Sequence, residues 1–225
     1  MLSRRSLLRA AAGTGVFIAA SGTLVTPVAA AAPRTGKWNG DVSANGWRIA
    51  ASAVAVHHVE GSDASLGLRR GDAGAVLLHV ARRWHYEIAA LDTGEGGGVT
   101  GHTTRRTVGA DFESNHLSGT AIALHPTAYP LAGSERLWPH QEAIVRDILA
   151  DCEGTVVWGG DLDPVKVSHF HIAARPGDNA LTRVATRLAP VRATAARTQT
   201  AGTVADPATP SRRAKARRLH RAQDD

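Results

Sequence analysis

The chain has 225 residues, 43% of them hydrophobic, with a formal net charge of +6 and a sequence pI near 10.4. That balance suggests a nucleic-acid binder until the charges are located. Residues 1–32 carry three Arg and no acid, and residues 190–225 carry eight Lys/Arg against three Asp. The stretch between them, 33–189, has fifteen Lys/Arg against seventeen Asp/Glu and is slightly acidic. The basic character therefore belongs to the two ends, and nucleic acid is not an expected partner. With a single cysteine, Cys152, no intrachain disulfide can staple the fold.

The first element is a leader. Arg4, Arg5 and Arg9 precede an acid-free, mildly apolar run from Ala10 to Val28, which ends at the small residues Ala29, Ala30 and Ala31. The paired arginines of Ser3-Arg4-Arg5-Ser6-Leu7-Leu8 read as a twin-arginine export signal. Gly13, Gly15, Gly22 and Pro27 interrupt the run too often for a spanning helix, so no transmembrane anchor is expected after cleavage. The mature chain is then periplasmic, wall-associated or extracellular.

Three segments follow: the leader 1–32, a folded domain 33–189 and a disordered basic tail 190–225. Alternation at 53–56 and 66–68 predicts two short strands. Leu77, Val80, Ala81, Trp84, Ile88 and Leu91 recur at three or four and predict a helix capped by Asp72 and closed by the glycines from Gly94 to Gly98. After a Thr- and Arg-rich stretch at 100–115, a strand is expected at 119–124. A second helix is expected behind Pro139, with Ile144, Val145, Ile148 and Leu149 on one face. Strands return at 156–158 and 167–173, and a last helix carries Leu181, Val184, Ala185 and Leu188. Trp84, Trp138 and Trp158 read as core residues. Without regular β-α-β alternation the fold class is α+β, a small antiparallel sheet with packed helices.

Two segments carry chemistry: Ser114-Asn115-His116-Leu117-Ser118-Gly119-Thr120-Ala121-Ile122-Ala123, and Trp158-Gly159-Gly160-Asp161 running on to Ser168-His169-Phe170-His171-Ile172. Together with Gly101-His102-Thr103-Thr104-Arg105 they resemble the zinc D-alanyl-D-alanine carboxypeptidases, the vancomycin-resistance type and its endolysin relatives, over roughly residues 75–173. The resemblance implies a DD-peptidase/hedgehog-like zinc peptidase fold and peptidoglycan stem peptides as partners. It makes His116 and His169 zinc ligands, Arg105 the anchor for the peptide's terminal carboxylate, and Ser114 a hydrogen-bond donor beside that anchor.

The sequence departs from the family pattern at two positions. Ala123 stands where the third ligand, an Asp, belongs, and Lys166 stands where the general-base carboxylate belongs. A methyl group cannot bind zinc, and an ammonium repels it. His171 and His125 each lie two residues from a family position, and on a strand would share its face; His171 is the better candidate for the third ligand. Asp161, Asp163 and Glu113 are candidates for the missing base. The expected protein is a carboxypeptidase-like hydrolase with impaired catalysis, or a pseudoenzyme that binds wall peptide, with anionic wall polymers or lipid head groups as the expected partners of the tail.

Overall fold

The computed structural model describes residues 35–188 and 208–224. The expected leader lies outside the described residues. The described chain is mixed α+β, with small antiparallel sheets and four helices. Two strand pairs stand apart from the main sheet: β1 (Gly36–Lys37) with β5 (Thr107–Val108), and β2 (Val54–His58) with β3 (Ser65–Arg69). The main sheet is antiparallel in the order β4 (Val99–Thr100), β6 (Ala121–Leu124), β8 (His169–Ile172), β7 (Val156–Trp158).

Period-2 alternation divides the two central strands. Ile122 and Leu124 of β6 and Phe170 and Ile172 of β8 join the hydrophobic core with residues of α1 (Asp72–Glu87), α2 (Pro139–Asp151) and α3 (Asn179–Leu188). Trp84 of α1 is fully buried and meets the Phe170 ring edge-on at 5.9 Å between centroids. The opposite face presents Ala121, Ala123, His169 and His171, outside that core. Ala123 lies directly across from His169, and Ala121 from His171.

Several local expectations need correcting. Asp72 does not cap α1: the N-cap is Gly71, and the Asp72 carboxylate accepts a 2.7 Å hydrogen bond from Thr182 of α3. The helix stops at Glu87, before Leu91, whose N–H is taken by His85 Nδ1. Trp138 is 70% exposed; as the residue before Pro139 it is held in extended backbone, which turns its ring outward.

Where the tail is described, it is not disordered as expected. Residues 189–207 lie outside the described residues, but Pro210–Asp224 form a helix, α4, packed along α2. Its order comes from charge complementarity rather than apolar burial. The Arg212 guanidinium reaches the carboxylates of Asp147 and Asp151 on α2, and Gln223 donates to the Val156 carbonyl at 3.0 Å. Asp147 is 2% exposed and also accepts from Arg83 of α1 at 2.8 Å, so one buried carboxylate ties three helices. Among the described residues no helix is long and apolar enough to cross a membrane.

Candidate functional site

The motif Ser114 to Thr120 forms a tight turn at Asp111–His116 followed by a reversal at Gly119 into β6. Gly119 sits at φ +71°, and a Cβ there would lie 2.8 Å from the Arg69 backbone nitrogen, so glycine is required on both counts. Most polar side chains of this motif face inward and bind the N-terminal loop. Asn115 Oδ1 accepts from Asn45 N–H at 3.0 Å, Ser118 Oγ accepts from Ser43 Oγ at 2.8 Å, and Thr120 Oγ1 accepts from Asn45 Nδ2 at 2.8 Å. Ser114 behaves likewise: fully buried, it donates to the Asp111 carbonyl and accepts from Ala44 N–H. It is therefore a fastening for residues 43–47, and not a donor beside Arg105 as expected.

On the far side of the turn a groove of about 260 Å³ opens. Arg105, Glu113, His116, Ala123 and Lys166 line it, with Thr100, Thr103 and Thr107 among its walls. His116 donates from Nδ1 to the Gly101 carbonyl at 2.9 Å, in the neutral tautomer that leaves Nε2 with its lone pair. The His116 and His169 rings lie 5.2 Å apart between centroids, nearly perpendicular, although 53 positions separate them in sequence. His171 extends the cluster: its Nδ1 is 3.1 Å from His169 Nε2, while His169 Nδ1 is buried without a hydrogen-bond partner among the described residues.

All three imidazoles are held neutral near pH 7. Burial, and then the Lys166 charge, push His116 down to about 4. Burial, and then the neighbouring His116, push His171 down to about 4. His169 falls well below its ordinary value, again chiefly through burial, with His171, His116 and Lys166 adding to it.

The position of the expected base is closed by an ion pair. Lys166 Nζ lies 2.5 Å from Glu113 Oε1, and Glu113 Oε2 accepts the Gly109 N–H at 2.7 Å. Burial alone would raise the Glu113 carboxyl; the Lys166 ammonium outweighs it and holds the group below the usual carboxylate range. Of the three carboxylates considered from sequence, Glu113 alone enters the groove, and it does so as the partner of a lysine. Asp161 is turned to Arg146 of α2, and Asp163 is exposed and does not line the groove.

His125 is also misplaced by the sequence argument. The chain leaves β6 at Leu124, and His125 takes φ +52°, so strand alternation no longer applies. Its Nδ1 donates to the Glu95 carbonyl at 2.8 Å and its ring lies 6.1 Å from that of Trp84, on the core side.

The donors present do not fit the zinc site of the resembled family. Two motif imidazoles are close, but the third-ligand position is the Ala123 methyl, and the Lys166 charge acts on both His116 and His169. Among the described residues no group of three or more His, Cys, Asp or Glu is arranged to hold a metal ion. What the groove does offer is the Arg105 guanidinium, exposed at its rim with no side-chain partner among the described residues, flanked by threonine hydroxyls. Sequence reasoning missed Thr100, Thr103 and Thr107 as lining residues; the Thr- and Arg-rich composition of 100–115 was the available signal. Comparison with protein-family models, curated proteins and solved structures finds no match to this chain.

Proposed function

We propose that the chain is an exported protein with a DD-peptidase/hedgehog-like fold whose groove binds the carboxylate end of a cell-wall stem peptide without hydrolysing it. The observation that carries this reading is the composition of the groove. An Arg105 guanidinium with no side-chain partner among the described residues stands at its rim, while the Ala123 methyl and the Lys166–Glu113 ion pair take the positions that the resemblance assigns to a zinc ligand and the general base. A guanidinium grips a carboxylate through two parallel hydrogen bonds, and the threonine hydroxyls beside it can satisfy peptide carbonyls and amides. Neither interaction needs a metal.

The test is calorimetric titration with a peptide ending in D-Ala-D-Ala, with and without a chelator, alongside an assay for released D-alanine. Binding should survive the chelator, no D-alanine should appear, and Arg105→Ala should weaken binding by about tenfold or more, as expected for a charged hydrogen bond worth about 1.5–3 kcal/mol. Chelator-sensitive release of D-alanine supports the second reading, a residual zinc peptidase. One specific feature favours that alternative: the His116 Nδ1–H bond to a backbone carbonyl is the orienting contact a zinc-binding imidazole uses.

A further inference from the structure

The chain has a second candidate surface, on α4 and away from the groove. Arg213, Arg217 and Arg221 are all exposed and recur every fourth residue. On an α-helix that spacing makes a row that drifts by about 40° per step, with guanidinium attachment points about 6 Å apart. None of the three has a side-chain partner among the described residues, whereas Arg212 and Lys215 on the same helix are paired with Asp147, Asp151 and Glu153. The charges thus divide the helix: Arg212 and Lys215 fasten it to the body, and the row, with the exposed Arg218 beside it, faces solvent. Beside the row runs a cleft of about 270 Å³ between α2 and α4, with Ala143 and Ala216 among its walls and Arg213 and Arg217 at its edge.

We infer that this face of α4 is a docking site for a linear polyanion of the cell wall, a phosphodiester-linked polyol chain. Three cations at a regular interval on a rigid helix meet successive phosphates of an extended chain without ordering a flexible segment first, which lowers the entropic cost of binding. The cleft, where Ala143 and Ala216 stand among the polar groups of Arg146, Asp147, Arg212 and His220, accommodates the uncharged polyol between two charges. A lipid surface fits less well, because the exposed side of α4 has no large apolar side chain to insert; its one leucine, Leu219, turns toward Gly154 and Leu149. Nucleic acid fits less well because α4 has no Phe, Tyr or Trp for stacking, and its Gln223 amide is already bonded to Val156. The choice of a wall polymer over an intracellular polyanion rests on the proposed export; the docking face itself does not depend on the peptide groove.

The experiment compares three ligands on the purified full chain: poly(glycerol phosphate), vesicles of phosphatidylglycerol and phosphatidylcholine in equal parts, and duplex DNA. Two triple variants carry the same charge loss, one in the row (Arg213→Gln, Arg217→Gln, Arg221→Gln) and one elsewhere at exposed positions (Arg48→Gln, Arg175→Gln, Arg183→Gln). Poly(glycerol phosphate) should bind best to the unaltered protein, and raising salt from 50 to 200 mM should weaken it by about 20-fold, for three phosphate contacts on a single-stranded polyanion. The row variant should lose most of that binding and its salt dependence, with an unchanged circular dichroism spectrum and unchanged peptide binding; the distant variant should retain both. Equal loss in the two variants would reduce the effect to net charge and overturn the proposal. Tighter binding to vesicles or to DNA than to poly(glycerol phosphate) overturns it as well, in favour of that other partner.

Discussion

Lys166 Nζ and Glu113 Oε1 lie 2.5 Å apart, joining the loop before β8 to the turn before β6 across a groove that both side chains line. Both are largely buried, with 13% and 17% of their side chains exposed. Removing one partner of such a pair leaves the other charge poorly solvated. Glu113→Gln should therefore destabilise the fold by about 2 kcal/mol, below the 3–5 kcal/mol of a fully buried pair. Glu113→Gln combined with Lys166→Met removes both charges and should return stability to within about 1 kcal/mol of the original. Urea midpoints of the two variants decide it; an unaffected single variant means the pair contributes nothing.

Introducing the residues of the resembled family tests whether Ala123 and Lys166 are what keep the histidine cluster from holding a metal. Ala123 lies opposite His169 in the sheet register, so a carboxylate introduced there projects from the same face as His169, toward His116. Ala123→Asp with Lys166→Asp also releases Glu113 from its ion pair. Without metal the clustered carboxylates repel, so the variant should melt lower than the parent. With zinc its melting temperature should rise with metal concentration, as binding to the native state requires. The parent should show no such rise. Zinc-dependent stabilisation of the parent would show that its own donors suffice.

The coarse fold was legible because its elements follow hydrophobic periodicity. The α1 and α2 cores, the β7 strand at Val156–Trp158 and the α3 face of Leu181, Val184 and Ala185 all sit where spacing put them. Arg105, His116 and His169 were named from sequence, and they meet around one groove or beside it. The misses share a physical cause: each depends on a partner distant in the chain. Ser114 looked available until the residue 43–47 loop claimed its hydroxyl. His125 looked like a strand neighbour of Ala123 until a left-handed residue ended the alternation. Helix α4 looked too polar to fold, since the buried Asp147 that receives Arg212 lies 65 positions earlier.

Gly159, in the Trp-Gly-Gly-Asp segment, is fixed by close packing rather than by an unusual backbone angle. A Cβ at that position would stand 2.3 Å from the Lys166 carbonyl oxygen and 2.9 Å from His169 Cβ. Backbone must move to admit it. Gly159→Ala should therefore cost about 2–3 kcal/mol, in the range of overpacked cores, and should disturb the Lys166–Glu113 pair along with the His169 ring. Thermal unfolding measures the first effect, and histidine ring resonances the second. A variant with unchanged melting and unchanged resonances would contradict the packing argument.

The attachment of α4 should depend on pH in a definite direction. Burial opposes ionisation of Asp151, but its bonds to His79 and Arg212 and the charges of Arg212 and Arg83 together hold its carboxyl far below the ordinary 3.8. A carboxylate depressed in the folded state contributes stability that is fully present above the unfolded value. That contribution is lost as pH falls through the folded value. Docking of α4 should thus be constant from neutral pH down to about pH 4.5 and weaken only below about pH 4. Arg212→Ala should release the helix at neutral pH too, at a cost of about 1–3 kcal/mol, since Asp147 and Asp151 both keep Arg83 as a partner. Arg212→Lys should recover only part of this, because one ammonium cannot reproduce a guanidinium that reaches both carboxylates. Amide hydrogen exchange followed along 210–223 reads the outcome directly. Protection in α4 should drop in Arg212→Ala while α1 and α2 stay protected, and unchanged protection of α4 would mean that contacts other than Arg212 hold it in place.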